Sequence, residues 1–255
     1  MAANLPIFTK LGHYCMPVVT ASYSSQTGFG NFLAQRNDSV AEFCNRLIAN
    51  RTPDAIYVGF GNDNGILTAL TGIVSEFASK DVYLFVDPIM GDNGALYPVF
   101  DGEYLNNMKR LVPHAHCITP NLTEACLLAD IDYQQLVSHK HEPTFLATCG
   151  EIFGDFLAKT GAKSAVITGI ECGKLIGNIV LDGTNRYFVT NERVEVTYSG
   201  TGDVFSSVVL GELLNGHSLL ASTQVAANFV EKAARTTSCT DRRFGIEFAR
   251  VLNLL

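Results

Sequence analysis

The chain has 255 residues, 47% of them hydrophobic and 17% charged, with a formal net charge of −7. That length fits one large α/β domain or two small ones, and the apolar share can fill a sizeable core. The acidic balance argues against nucleic acid or an anionic membrane as main partner, so an anionic substrate would need a local positive site.

Residues 2–11 read as the tail of a helix ending at Gly12. A strand over His13–Thr20 and a polar, Gly-rich loop over Ser22–Gly30 follow. Val40, Phe43, Cys44, Leu47 and Ile48 recur at helical spacing, which predicts a helix over Ser39–Asn50. Ala55–Val58 reads as a short buried strand, Gly65–Lys80 as a helix and Val82–Val86 as a second buried strand. Asp87–Tyr97 is rich in turn residues. Tyr104–Leu111 is helical, Cys117–Thr119 a strand end, and Asn121–Leu128 a helix with Glu124 in its first turn. Pro143–Thr160 reads as one helix with proline at its start, and Ala165–Thr168 as a strand. Lys174–Val189 is a hairpin about Asp182-Gly183. Arg193–Thr197 alternates and is β-branched, which predicts a strand. Val204–Leu214 and Leu219–Ala234 are helices, and a short helix closes the chain.

Strands alternating with helices imply a mostly parallel sheet covered on both faces, with ligands at the carboxyl ends of the strands. Phe60, Asp87, Thr119, Thr168 and Gly200 all fall at or just beyond such ends. No linker composition divides residues 1–255, so they read as one domain.

The most telling stretch is Thr197-Tyr-Ser-Gly-Thr-Gly-Asp203, which places two glycines and an acid between a predicted strand and a helix. Glycine lets the backbone aim successive N–H groups at one point, and the helix dipole adds positive potential, so this turn suits phosphate. Asp203 then reads either as a base toward an attacking hydroxyl or as a capping residue in a tight turn. Asp87-Pro-x-x-Gly-Asp92 puts two carboxylates in one loop, oxygen ligands of the kind Mg²⁺ prefers. Thr119-Pro-Asn-x-x-Glu124 surrounds a helix start with a hydroxyl, an amide and a carboxylate. It is equally described as a capping box of Asn121 and Glu124. Their gathering at one sheet edge favours a site.

Four stretches occur together in one order: Asp87-Pro-Ile-Met-Gly-Asp-Asn-Gly-Ala-Leu-Tyr97, Ile118-Thr-Pro-Asn-Leu-Thr-Glu124, Val166-Ile-Thr-Gly169 and Ser199-Gly-Thr-Gly-Asp203. In order and spacing the chain resembles the pyridoxal kinases of the ribokinase (PfkB-like) family over nearly its whole length. The resemblance implies a ribokinase-like three-layer α/β/α fold with a mostly parallel central sheet. It implies ATP-dependent phosphorylation of the 5′-hydroxymethyl group of a B6 vitamer, with Asp203 as catalytic base. Gly200, Thr201 and Gly202 would form the anion hole. Asp92, Tyr97, Asn121, Glu124 and Thr168 would lie along ATP. Asp87, Asp92 and Glu124 would hold Mg²⁺, largely through water. Asp87, Thr119 and Thr168 match positions that hold K⁺ or another monovalent cation. Thr27 and Phe60, with Asp203, would contact the pyridine substrate. The resemblance also implies a homodimer. Family members open with a strand and a Gly/Ser loop before the first helix. This chain opens in that helix, so the first strand is expected to be absent, leaving an open sheet edge. Phe60 stands where tyrosine is frequent, and Gly169 where serine is.

The nearest rival is hydroxymethylpyrimidine kinase, whose substrate ring is similar; Gly91–Tyr97 favours the pyridoxal group. A truncated relative that binds without turnover is a further alternative. From another class, Gly59-x-Gly61-x-x-x-Gly65 after a strand, with Asp87 ending the next, fits a dinucleotide-binding oxidoreductase, but leaves Gly200, Asn121 and Glu124 without a role. His114, His116, His139 and His141 read as exposed loop residues rather than metal ligands. Seven cysteines, without a Cys-x-x-Cys pair, suit free thiols in the cytoplasm. The start has no signal-peptide pattern, and no stretch has the apolar length of a membrane span.

Overall fold

The computed structural model describes residues 3–61, 64–77 and 81–255. In chain order the helices are α1 (Asn4–Lys10), α2 (Val40–Asn50), α3 (Asn64–Phe77), α4 (Gly102–Leu111), α5 (Leu122–Ala129), α6 (Tyr133–Val137), α7 (Phe145–Ile152), α8 (Phe156–Thr160), α9 (Thr201–Leu214) and α10 (Leu219–Thr236). The strands are β1 (Ala21–Tyr23), β2 (Ala34–Arg36), β3 (Ala55–Val58), β4 (Tyr83–Val86), β5 (Gly91–Asp92), β6 (Ala95–Leu96), β7 (Cys117–Ile118), β8 (Ser164–Cys172), β9 (Leu175–Asp182) and β10 (Asn185–Glu192).

A six-stranded sheet runs in the order β10-β9-β8-β7-β4-β3. Strands β3, β4, β7 and β8 are parallel, and β9 and β10 continue the sheet antiparallel. Successive strand residues face opposite ways. Leu84, Val86, Ile118, Ala165 and Ile167 therefore pack on one side, with residues of α3, α4, α5, α7 and α8. Phe85, Cys117, Val166 and Val180 pack on the other, with residues of α1, α9 and α10. These are the three layers that the strand–helix alternation implies. Helix α9 is buried along the run Val204–Glu212, as a helix apolar on all sides must be. No helix among the described residues is long and apolar enough to cross a membrane.

Several expectations need correction. His13–Thr20 is not a strand; Pro17 cannot donate to a ladder, and extended pairing starts only at β1. Strand β1 pairs antiparallel with β2 in a ribbon apart from the main sheet. Arg193–Thr197 is not a strand either, because β10 ends at Glu192. Its alternate residues Val194 and Val196 pack on the α9–α10 cluster instead, so the period marked burial without ladder pairing. The helix expected over Pro143–Thr160 is divided into α7 and α8, with Phe153-Gly154-Asp155 between them. Glycine is a poor helix former, and Phe153 and Phe156 are both fully buried from either side of the break. Helix α6 was not foreseen; Asp132 caps it by accepting from the Gln135 N–H at 3.0 Å. The closing helix is 3₁₀, over Phe248–Leu254. Residue 2 of the first predicted helix, residues 78–80 of the third and residues 62–63 of the glycine-rich run lie outside the described residues.

Candidate active site

Gly200 caps α9 with φ of 79°, a left-handed conformation that strains any residue with a Cβ. No side chain caps this end, so the first-turn N–H groups of Thr201, Gly202 and Asp203 face outward with the positive end of the helix dipole. Asp203 sits in that first turn, its Oδ2 folded back to 3.9 Å from where a Gly200 Cβ would lie. Burial raises its carboxyl above the usual range. The strand predicted to lead into this turn is absent. Its place is held by the segment after α10, where the Ser199 N–H donates to the Arg242 carbonyl at 3.2 Å and the Ile246 N–H to the Ser199 carbonyl at 3.1 Å.

Asp87 follows the last residue of β4 and is only 4% exposed. The Tyr57 hydroxyl donates to its Oδ2 at 3.0 Å. Burial, then the charge of Asp203, push its pKa up to about 7, against the pull of hydrogen bonds from Tyr57, Ser206 and Thr119. The Thr119 and Ser206 hydroxyls are 2.8 Å apart, joining the end of β7 to α9. Thr168 lies at an irregularity in β8 and bridges to Asn121. Its N–H donates to the Pro120 carbonyl at 2.9 Å.

Asn121 and Glu124 form the capping box of α5. Glu124 Oε2 accepts from the Asn121 N–H at 2.8 Å, while Oε1 accepts from the Met90 N–H at 3.0 Å and the Gly91 N–H at 3.5 Å. Asn121 Nδ2 donates to the Gly91 carbonyl at 2.9 Å. The capping reading is therefore correct in geometry, and the same pair ties α5 to the β5–β6 hairpin. A Cβ on Gly91 would run into the Ala95 carbonyl, so only glycine lets that hairpin close so tightly. Glu124 is 3% exposed; burial, then Asp87, push its pKa up to about 8 although three backbone N–H groups favour the charge. Asp92 is exposed, and both its oxygens are engaged by Asn93. The Tyr97 hydroxyl is raised to about 12 by burial and then by the charges of Glu124, Asp92, Asp87 and Asp203. One phenol thus responds to all four acids, which lie at the same edge of the sheet.

Phe60 lies edge to face with Tyr23 at 6.1 Å and tilted against Phe100 at 5.2 Å. Thr27 opens a 3₁₀ turn ending at Phe29. The Arg243 guanidinium lies 4.3 Å from the Phe29 ring centroid, and the Phe244 ring 5.2 Å from it. Residues 242–246 are the segment bonded to Ser199, so the Thr27 turn is anchored beside Gly200.

The sequence reading missed Tyr57, Ser206 and Arg243. The only signal for Ser206 was a polar pair, Ser206-Ser207, inside an otherwise apolar helix. His114 and His116 are half-buried rather than exposed, the Nδ1 of His116 accepting the Leu84 N–H at 3.0 Å; His139 and His141 are exposed. The cysteines are all free. Among the described residues no three His, Cys, Asp or Glu side chains form a group that could hold a metal directly. The donors at the cleft are oxygens, which suit hard cations.

The family model for phosphomethylpyrimidine kinase matches residues 1–246. The hydroxymethylpyrimidine/phosphomethylpyrimidine kinase of Bacillus subtilis is 25% identical over 92% of this chain and 83% of its own length. Of two further curated relatives, from Schizosaccharomyces pombe and rice, the chain spans 58% and 41%. A crystal structure from Bacteroides thetaiotaomicron, described as a phosphomethylpyrimidine kinase with pyridoxal, superposes with a TM-score of 0.88 at 28% identity, covering 100% of this chain and 90% of that one. The pyridoxal kinase of Lactobacillus plantarum gives 0.83 at 26% identity, over 99% of this chain and 89% of that one. With a ribokinase-like fold, the ordered motifs and a family match over residues 1–246, the chain belongs to the phosphomethylpyrimidine kinase family.

Proposed function

We propose that this chain transfers the γ-phosphoryl group of ATP to the 5′-hydroxymethyl group of a B6 vitamer. The observation that carries the reading is Asp203 in the first turn of a helix N-terminus that no side chain caps; the cluster of Phe60 with Tyr23 and Phe100 supports an aromatic ring as substrate. Asp203 takes the proton of the attacking hydroxyl; its raised pKa makes it a stronger base than a surface carboxylate. The N–H groups of Gly200, Thr201 and Gly202 receive the charge of the transferring phosphoryl. Asp92, Tyr97, Asn121 and Thr168 line the nucleotide side, and Thr27 and Phe60 hold the ring.

Asp87, Asp92 and Glu124 face the Mg²⁺ that accompanies ATP. With Glu124 committed to three N–H groups, these carboxylates would hold that ion largely through water. Asp87, Thr119 and Thr168 would hold K⁺ or another monovalent cation. When bound, these ions neutralise charge on the phosphates. The protein acts as a cytoplasmic homodimer.

The pyridoxal-bound Bacteroides neighbour supports the B6 reading. The Bacillus relative, matched over 92% of this chain, favours hydroxymethylpyrimidine as the second reading. The test is ATP consumption with Mg²⁺ and K⁺, offering pyridoxal, pyridoxamine, pyridoxine and hydroxymethylpyrimidine in parallel. Turnover with a B6 vitamer is expected. Turnover with the pyrimidine alone transfers the chain to the second reading, and none from folded protein refutes both.

A further inference from the structure

Tyr57 is the polar side chain of β3, and its surroundings leave it little freedom. Its ring stacks on Phe85 at 5.8 Å and 17° and meets Phe8 edge to face at 6.1 Å. Its hydroxyl donates to Asp87 Oδ2 at 3.0 Å, and the Asn4 side chain lies near enough to favour its ionised form. Asn4, 7% exposed, donates through Nδ2 to Ser207 Oγ at 2.9 Å, and Ser207 donates to the Asp203 carbonyl at 2.6 Å. A polar relay therefore runs from the first turn of α9, through α1 and β3, to the carboxylate at the end of β4.

We propose that Tyr57 is a positioning residue which, backed by Asn4, holds the Asp87 carboxylate in the orientation that binds a cation. The inference rests on the reading of Asp87 as a cation-holding carboxylate and deepens it. A carboxylate already fixed by a neighbour loses less freedom when an ion binds, and partners of this kind typically change metal affinity by about 10–100-fold. Tyr57 itself touches neither ATP nor the ring substrate in this scheme, so its removal acts on the ion.

The experiment compares the wild-type chain with Tyr57→Phe, which keeps the ring stack and deletes the donor, and with Asn4→Ala, which deletes the support behind it. Each protein is titrated with KCl and separately with MgCl₂. The half-saturating concentration is read from the rise in melting temperature and again from ATP turnover. For Tyr57→Phe the half-saturating concentration of one cation is expected to rise about tenfold by both readouts, with KM for ATP unchanged. Asn4→Ala is expected to shift it the same way by less. Unchanged half-saturation for both cations overturns the inference, as does a turnover loss that saturating cation does not relieve. A wild-type chain that turns over but whose melting temperature ignores both cations overturns the inference alone. One that does neither overturns the proposed function as well.

Discussion

Asp87→Asn is expected to make the cation-free protein more stable and the enzyme inactive. The carboxyl is 4% exposed, and its pKa is pushed from 3.8 up to about 7, by burial first and by Asp203 second. At about 1.4 kcal/mol per pH unit, ionising it in the folded chain costs roughly 4 kcal/mol, an upper bound because part of the cost is shared with Asp203. The folded-state pKa is raised, so the stability credited to this group is complete below about pH 4. It is lost as pH rises toward 7. Asparagine keeps an oxygen of the same shape for Tyr57 and carries no charge at any pH. The variant should match wild type at or just below pH 4 and exceed it by a few kcal/mol at pH 8. Urea unfolding of both proteins at the two pH values, in chelator and a bulky organic counter-ion, measures the difference. Equal stability at pH 8 would show that the Asp87 carboxylate is solvated or already compensated, and would refute the account of its burial. Added K⁺ or Mg²⁺ should narrow the gap by stabilising only the wild type.

Asp203→Asn is expected to lower kcat by about 10²–10⁴ with the melting temperature held or raised, since a buried charge is removed; near-native kcat would sink its role as base. Asn121→Ala loses the α5 cap, about 1 kcal/mol, and leaves the Gly91 carbonyl unpaired, a further 1–3 kcal/mol. At about 2–4 °C per kcal/mol for a chain of this size, calorimetry should show a fall of roughly 5–10 °C. Arg243→Ala removes the cation–π contact on Phe29, and with it the anchor of the Thr27 turn. KM for the ring substrate should rise several-fold while KM for ATP holds; equal rises would show that the anchor serves the whole site.

Local punctuation made much of this legible. Ala55–Val58 and the Asp182-Gly183 hairpin are strong because a short apolar run and a turn pair carry their signal within a few residues. Asp87 stood out at the carboxyl end of a buried strand, Glu124 in the first turn of the helix after Thr119-Pro-Asn121, and Asp203 beside two glycines at a helix start. The strands wrongly expected at His13–Thr20 and Arg193–Thr197 show the limit of periodicity. Alternation reports which residues are covered, and the ladder partner lies elsewhere in the chain. The hidden part of the site has the same cause. Tyr57 resembles any aromatic in a strand, and Ser206 any small residue in a helix, until folding brings Asp87 and Thr119 against them across 30 and 87 positions. The capping box at Asn121 was weighed against a functional role as if one excluded the other. The fold gives it the geometry of a cap that also ties α5 to the β5–β6 hairpin.

The burial of α9 from Val204 to Glu212 decides which parts of the site can give way. A helix enclosed on both sides shifts only if a large apolar surface shifts with it, so the first turn of α9, with Asp203, is held on a fixed block. The two-stranded ribbons β1–β2 and β5–β6 are different. A lone pair of strands is marginally stable in water, and opening one costs a fraction of the free energy of global unfolding. Movement at this edge of the fold is therefore expected in the two ribbons before it is expected in α9, a contrast that amide exchange would read directly.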